Sequence, residues 1–481
     1  MKSLFCLQRN GEEPVLPPAR QRLKQVHDKE KRPAMSDLVD KRVLEERAAR
    51  LVEAARRAGA DACDAVAITG VSLGVEVREG KVEETERAEG DDVTLRVFVG
   101  RRTASVSANT LQDLDGLAAR AVAMARVAPE DPYAGLAEED RLLKTLPELE
   151  LLDTHQPSAD ELKEMALAAE AAGLSVSGVS RSGGASASWR LGGMVLATSH
   201  GFTGSYTSSR FGLSMTAVAG EGTAMERDFD FDSRTFFADM DAPALIGQRA
   251  GERAVRRLNP KKLSTRKAHV IYEARAARSL LGHLAGAING AAIARGTSFL
   301  KDRMNERVFA PGIRISDNPH KPRGAATRPF DGEGTGALPL DMIEDGFLRH
   351  WFLDGATARE LGLAANGRAH RGGSGTSPGA TNLTLHPGTE SPEEMMRALG
   401  SGLLVTDLIG HGANGVTGDY SRGASGFWFE NGEIVEAVSE ITIAGNLKDM
   451  FARMRPANDL DARYSTACPS VVIEDLTIAG N

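Results

Sequence analysis

Between residues 36 and 59 the chain reads SDLVDKRVLEERAARLVEAARRAG, and its apolar side chains return at helical spacing. That spacing predicts one amphipathic helix, with Ser36 or Asp37 as N-cap and Gly59 as the stop. From 61 to 107 the period drops to two, which predicts an antiparallel meander with turns at Glu79-Gly80, Glu89-Gly90 and Gly100. A second helix, Leu111 to Arg126, closes this layer. Residues 130 to 158, rich in Pro, Asp and Glu, read as a connection. The next helix starts at Ser158, with Glu161 in capping-box position. Residues 176 to 240 read as short strands of a polar, two-faced sheet, dense in Ser, Gly and Thr, and a helix follows from Ala242 to Leu258.

The second half opens on a strand-like AHVIYEA and a small-residue helix from Ala274 to Ala294, whose composition permits close packing. Beyond Arg307, short strand patterns alternate with Gly-rich turns, and short helices fall near 357–361, 391–399 and 446–454. The expected class is α+β: mixed, largely antiparallel sheets with packed helices in an N-terminal half, and a β-rich C-terminal half. The expected domains are an α+β N-terminal domain over 36–130, a central α+β domain over 131–262 and a β-rich C-terminal domain over 263–481. Residues 1–35 carry eight basic against four acidic side chains and four prolines, without the apolar core of a secretory signal. They read as a disordered lead-in or a mis-assigned extension, with Met35 as a candidate natural start.

Composition narrows the function classes. Hydrophobic residues make up 41% and charged residues 26%, the balance of an ordinary globular protein. The net charge of -8 argues against direct nucleic-acid binding as the main function. Cys6, Cys63 and Cys468 are too few and too scattered for a disulfide framework and fit a reducing, cytoplasmic setting. No apolar run is long enough for a membrane-spanning helix, so no membrane partner is expected.

Candidate chemistry is sparse. The ten histidines all lie more than five residues apart, so HExxH and its relatives are absent, as are CxxC and GxSxG. His283 inside the apolar helix reads as a hydrogen-bonded core residue, Cys468 as structural, and the Gly332–Gly336 run as a turn. No cofactor is indicated. The block Thr417–Phe427 stands out as a Gly-punctuated loop carrying Asp419, Tyr420, Ser421, Arg422 and Gly423. Asp419 and Arg422 either pair with each other across the turn or orient a peptide carboxylate or amide by charge-assisted hydrogen bonds. Asn366–Gly373 is a similar loop-like cluster, equally ambiguous.

The segment 402–450, GLLVTDLIGHGANGVTGDYSRGASGFWFENGEIVEAVSEITIAGNLKDM, closely resembles the PmbA (TldE) branch of the TldD/TldE family. RPFDGEGTGALPL, IEDGFLRHWFLDGATARELG and GVEVREGKVEETERAEGDDVTLRVFVGRR support it, and the resemblance spans about residues 36–481. It implies a cytosolic metallopeptidase of two related chains that cleaves unstructured peptides such as microcin precursors and antitoxins; the family is also described as modulating DNA gyrase. In the TldD sister, an HExxxH helix and a later Cys bind zinc. On the matching helix, Leu280–Ala287, the histidine ligand positions fall on Gly282 and Ala287 and the glutamate position on His283, while Cys468 lies too near the terminal strand. The resemblance therefore implies a metal-free chain, with zinc on an HExxxH partner subunit and the 418–426 segment lining a shared peptide chamber. Two alternatives stay open: a homodimeric peptide-binding module that touches gyrase, and a metal-independent hydrolase using Asp419, Ser421 or His411.

Overall fold

The computed structural model describes residues 39–109, 112–372 and 375–480. The expectations for 1–35, the caps Ser36 and Asp37, and the helix start at Leu111 lie outside those residues. Helix α1 (Lys41–Arg57) begins instead at Asp40, whose carboxylate accepts the Arg42 and Val43 N–H groups. Leu44, Ala48, Leu51 and Ala55 form its buried stripe. Strands β1 (Ala62–Arg78), β2 (Lys81–Val99) and β3 (Arg102–Ala108) lead to α2 (Leu114–Val127). After the 130–158 connection come α3 (Ala159–Leu174), β4 (Val179–Thr198), β5 (Thr203–Ala219), β6 (Glu226–Arg234) and α4 (Pro243–Arg256). Ser158 caps α3 by accepting from the Glu161 N–H, as its sequence predicts.

These strands make one antiparallel sheet in the order β3-β2-β1-β4-β5-β6, so segments 36–130 and 131–262 share a single sheet. One face is apolar: Ala65, Leu95, Trp189, Phe211 and Met215 are buried beneath the four helices. Helices α3 and α4 pack so closely that a Cβ on Gly247 would stand 1.9 Å from the Ala169 carbonyl oxygen. The opposite face alternates Asp64, Arg96, Arg190, Ser208 and Arg210 into polar surroundings.

Two turn expectations divide. Glu79 and Gly80 both adopt positive φ, 51° and 72°, the backbone that a two-residue hairpin requires. Glu89-Gly90 forms no turn; Gly90 lies inside β2 opposite Gly70, and the arm runs on unbroken. Nor are the strands of 176–240 short, since β4 and β5 have 20 and 17 residues. Over 185–191 of β4 and 211–219 of β5, polar or small residues alternate with buried apolar ones, which keeps these stretches amphipathic. The Glu79-Gly80 turn is clamped by Glu170 of α3, a buried carboxylate accepting both backbone N–H groups at 2.8 Å.

The second half contains β7 (Arg266–Tyr272), α5 (Ala274–Ala287), α6 (Gly290–Ala294), β8 (Ile315–Asp317), β9 (Leu340–Glu344), β10 (Phe347–Leu348) and α7 (Gly355–Leu361). Then follow β11 (Ala369–Gly372), β12 (Gly375–Pro378), β13 (Leu383–Leu385), α8 (Pro392–Leu399), β14 (Ser401–Ile409), β15 (Asp419–Glu430) and β16 (Glu433–Asn446). The chain ends with α9 (Leu447–Arg453), β17 (Arg455–Pro456), β18 (Thr466–Ala467) and β19 (Val471–Ala479). The main sheet runs β16-β15-β14-β7-β19-β17, and a further β16–β19 pairing closes it on itself. A second sheet runs β10-β9-β8-β13-β18, and β11 pairs with β12. The helix expected over 274–294 is two helices, because Asn289 turns extended, caps α6 and donates to the Pro378 carbonyl at 2.6 Å.

The C-terminal half docks on the polar face of the first sheet through buried charges. Arg96 donates twice to Asp64, at 2.6 and 2.9 Å, and Arg371 of β11 donates to the other Asp64 oxygen at 2.7 Å. Glu333 lies 3.6 Å from Arg96 and accepts from the Gly355 N–H and the Thr376 hydroxyl. Burial alone would raise the Asp64 carboxyl, but the two guanidiniums hold it below the usual range. Glu333 belongs to the Gly332–Gly336 segment, which is a turn as expected, yet its carboxylate is buried rather than solvated.

Candidate functional site

Strand β7 ends at Tyr272 and α5 starts two residues later, so the helix leaves the central strand and lies back over its neighbours. Ser279 and His283, four residues apart, share one face of α5. Across from them β15 turns alternate residues inward, Tyr420 and Arg422, while β14 contributes Thr406. The His283 ring meets Tyr420 edge-on, with centroids 5.9 Å apart. Tyr272 and Tyr420 are both buried, their phenol oxygens facing each other beside Arg422 without a well-aligned hydrogen bond.

Three polar atoms in this region are buried with no partner, His283 Nε2, Arg422 Nε and Thr406 Oγ1, beside the facing phenols of Tyr272 and Tyr420. Each such atom costs about 1–3 kcal/mol when left unsatisfied, so their convergence marks a place built to receive polar groups. Burial pushes both phenols above their ordinary range. The His283 imidazole is pushed down by burial and by the nearby Arg422 and His411, which favours its neutral form. Arg422 and Thr406 open onto a cleft of about 410 Å³ that Ser279, Arg275 and Asp228 also line. At its rim Asp228 of β6 accepts from Arg275 at 2.7 and 3.1 Å and from Arg257 at 3.1 Å. Burial works to raise the Asp228 carboxyl, but these guanidiniums hold it below the usual range. The cleft is thus neutral to basic, able to hold and orient an extended polar chain.

The residues singled out from the sequence divide here. The stretch expected as a loop is the strand β15, an inner strand of the closed sheet between β14 and β16. Its apolar run Phe427–Phe429 is buried in the core and draws the preceding glycines into the ladder. Asp419 and Arg422 do not pair. Asp419 is exposed and binds the Thr417 hydroxyl at 2.6 Å and Asn446 Nδ2 at 3.0 Å, which hold its carboxyl below the usual range. Arg422 points to the opposite face and donates to the Leu408 carbonyl at 3.3 Å. Of the five candidates, Arg422 lines the cleft and Tyr420 is buried against His283; Asp419 and Ser421 face outward, and Gly423 continues the strand. Among the described residues no hydrogen bond joins Asp419, Ser421 and His411.

His283 departs from the expected satisfied core histidine, since its Nε2 has no partner. The 366–373 cluster is structural where described: Arg368, fully buried, binds Asp317 and the Asn366 and Leu338 carbonyls, and residues 369–372 form β11. Gly373 lies outside the described residues. Tyr272, Ser279 and Thr406 escaped sequence reasoning, since a Tyr closing an apolar strand carries no signal that its hydroxyl is unpaired.

The helix positions Gly282, His283 and Ala287 test the fit of a zinc ion. Gly282 has no side chain, Ala287 offers no donor, and the single imidazole of His283 faces tyrosine and arginine. That donor set does not fit zinc, which takes three or four N, S or O ligands. Among the described residues, no three His, Cys, Asp or Glu side chains are grouped to hold a metal. Cys468 is buried, its thiol pushed well above the ordinary range by burial.

Three family models match in succession: the PmbA/TldA metallopeptidase domain 1 over 63–125, the central domain over 153–258 and the C-terminal domain over 265–480. Metalloprotease PmbA of Escherichia coli O157:H7 is 37% identical over 444 residues, covering 92% of this chain and 97% of that protein. The chain belongs to the PmbA/TldE family of metallopeptidases. Another family member, a metalloprotease PmbA homolog of Haemophilus influenzae, is 36% identical over 89% of this chain and 94% of its own length. Among solved structures, a putative modulator of DNA gyrase from Bacteroides thetaiotaomicron superposes with a TM-score of 0.84 at 26% identity, over 91% of this chain and 99% of that one. TldE from Thermococcus kodakarensis shares the fold, with a TM-score of 0.81 at 18% identity over 90% and 99%. No helix among the described residues is long and apolar enough to cross a membrane.

Proposed function

We propose that this chain is the metal-free subunit of a cytoplasmic two-chain zinc metallopeptidase that cleaves unstructured peptides such as microcin precursors and antitoxins. One observation carries the reading: α5, the helix that resembles the zinc helix of the TldD branch, bears one imidazole where a ligand set would be needed, set among buried polar atoms without partners. The helix keeps its place over the sheet while its chemistry is that of contact rather than coordination. The partner would be an HExxxH-bearing TldD-type chain that supplies the zinc and the water-activating glutamate. This chain's share would be to hold the substrate, with Arg422, Thr406 and Ser279 as hydrogen-bonding groups for an extended backbone.

The test is cleavage of an unstructured reporter peptide by this chain alone and by this chain co-expressed with its HExxxH relative, with zinc content measured per chain. Activity and zinc confined to the pair support the reading, and loss of pair activity in Arg422→Ala with zinc retained assigns the contact. Stoichiometric zinc and cleavage by this chain alone refute it. Modulation of gyrase without cleavage by the pair would favour the regulatory alternative.

A further inference from the structure

The polar face of the first sheet carries a feature at β4 and β5 that the peptidase reading does not use. Arg190 and Arg210 are register partners, so two guanidinium side chains leave the same face from directly opposite positions. Like charges so placed destabilise a sheet unless a counter-charge meets them. A third cation, Arg328, reaches in from the segment between β8 and β9, and its Nε and Nη2 are buried without a hydrogen-bond partner. The three border a cleft of about 430 Å³, floored by Gly192, Tyr206 and Ser208, and no carboxylate is among its lining residues. It shares no lining residue with the cleft beneath α5.

The nearest acids are engaged elsewhere. Asp331 accepts the Glu333, Thr335 and Ala369 N–H groups at 2.9, 2.9 and 3.0 Å. Asp317 binds Arg368 and Thr381. Arg210 has one hydrogen bond, to the Ala325 carbonyl at 2.6 Å, and exposed Arg190 has none among the described residues. Burial pushes the Arg210 and Arg328 guanidiniums below their ordinary range; nothing opposes it at Arg210, and Asp331, Tyr206 and Asp317 oppose it only in part at Arg328. Desolvated cations held open in this way are a standing penalty that a bound anion removes.

We propose that this cleft binds an oxyanion, a carboxylate or phosphoryl group held by the guanidiniums of Arg190, Arg210 and Arg328, with the Tyr206 and Ser208 hydroxyls as further donors. Planar guanidinium forks match both groups in bidentate geometry. The cleft falls within the roughly 300–1,000 Å³ of small-ligand sites, so it takes the anion together with part of its carrier.

The test is calorimetric titration of the full chain at low ionic strength with inorganic phosphate, pyrophosphate, a capped Glu-containing tripeptide and its Gln counterpart. One-site saturable binding of at least one oxyanion is expected, with none for the Gln peptide; the tighter of phosphate and Glu peptide identifies the carrier. Arg190→Gln and Arg328→Gln should each weaken that binding by about tenfold or more while leaving the circular dichroism unchanged. If Arg328→Gln does not fold, Arg190→Gln, at an exposed position, decides alone. No saturable binding of any oxyanion by the native chain, or an affinity unchanged in Arg190→Gln, overturns the proposal.

Discussion

Replacing Asp64 by Asn tests whether buried charge fixes the C-terminal half on the sheet. The carboxylate is fully buried and accepts three hydrogen bonds from two guanidiniums, at 2.6, 2.9 and 2.7 Å. An amide keeps the shape but leaves Arg371 without its counter-charge and Arg96 with only the more distant Glu333, at 3.6 Å. Removing one partner of a buried pair costs about 3–5 kcal/mol. With about 440 described residues and an unfolding entropy near 2.1 cal/mol/K per residue, that corresponds to a melting temperature lower by about 3–5 °C at neutral pH. Differential scanning calorimetry at pH 7.5 measures it. Because the folded-state carboxyl is depressed, its contribution is fully present above the unfolded value near 4 and is lost as pH falls through the folded one. The difference between native and Asn chains should therefore shrink on the acid side. A single Asn variant melting within about 1 °C of the native chain would refute the reasoning.

Asp331 has the opposite pH dependence: burial and then Glu333 push its carboxyl up to about 6, so its contribution to stability falls as pH rises from its unfolded value near 4 through that point. Urea titrations at pH 5 and 7.5 should show this slope in the native chain and a smaller one in Asp331→Asn; equal slopes remove the assignment. His283→Leu removes an unpartnered buried nitrogen and should leave stability unchanged or raise it by about 1 kcal/mol while lowering peptide cleavage by the two-chain complex. A loss above about 1 kcal/mol in urea unfolding would mean His283 is satisfied after all. Glu170→Ala should free the Glu79-Gly80 turn that this carboxylate clamps, speeding hydrogen exchange at residues 78–81 by about tenfold or more. Unchanged exchange there would mean the turn holds without it.

What the sequence reveals here is local. Ser158 with Glu161 three residues on specifies a helix start, and Glu79-Gly80 a two-residue turn, because both signals act within a few positions and the structure uses them. Glu89-Gly90 carries the same letters and is strand, since pairing with Gly70 on β1 overrides them. The Asp419–Gly426 stretch misled in the same way: its glycines suit a turn, but β14 and β16 on either side draw it into the sheet. Family membership was legible in the motifs, whereas the arrangement of the site was not. Tyr272, His283, Thr406 and Tyr420 are separated by up to about 150 positions, and only the closed sheet brings them together. The charges on the polar face were equally hidden, because Glu333 sits in the Gly332–Gly336 run that reads as a turn, and no local pattern marks Arg328 or Asp331.

The shared first sheet also sets an order of events during synthesis. Strand β1 pairs with β2 on one side and with β4 on the other, and the β4 partners of Asp64 to Val77 are Thr198 to Ala185. A nascent chain that has released its first 108 residues can form the β1–β2–β3 meander, but the other edge of β1 stays bare until residue 198 leaves the ribosome. At roughly 5–20 residues per second, that interval lasts about five to twenty seconds. An open β edge beside unfinished apolar surface invites pairing with other chains. Chaperone occupancy on the nascent polypeptide should therefore peak before β4 emerges and decline once it has docked.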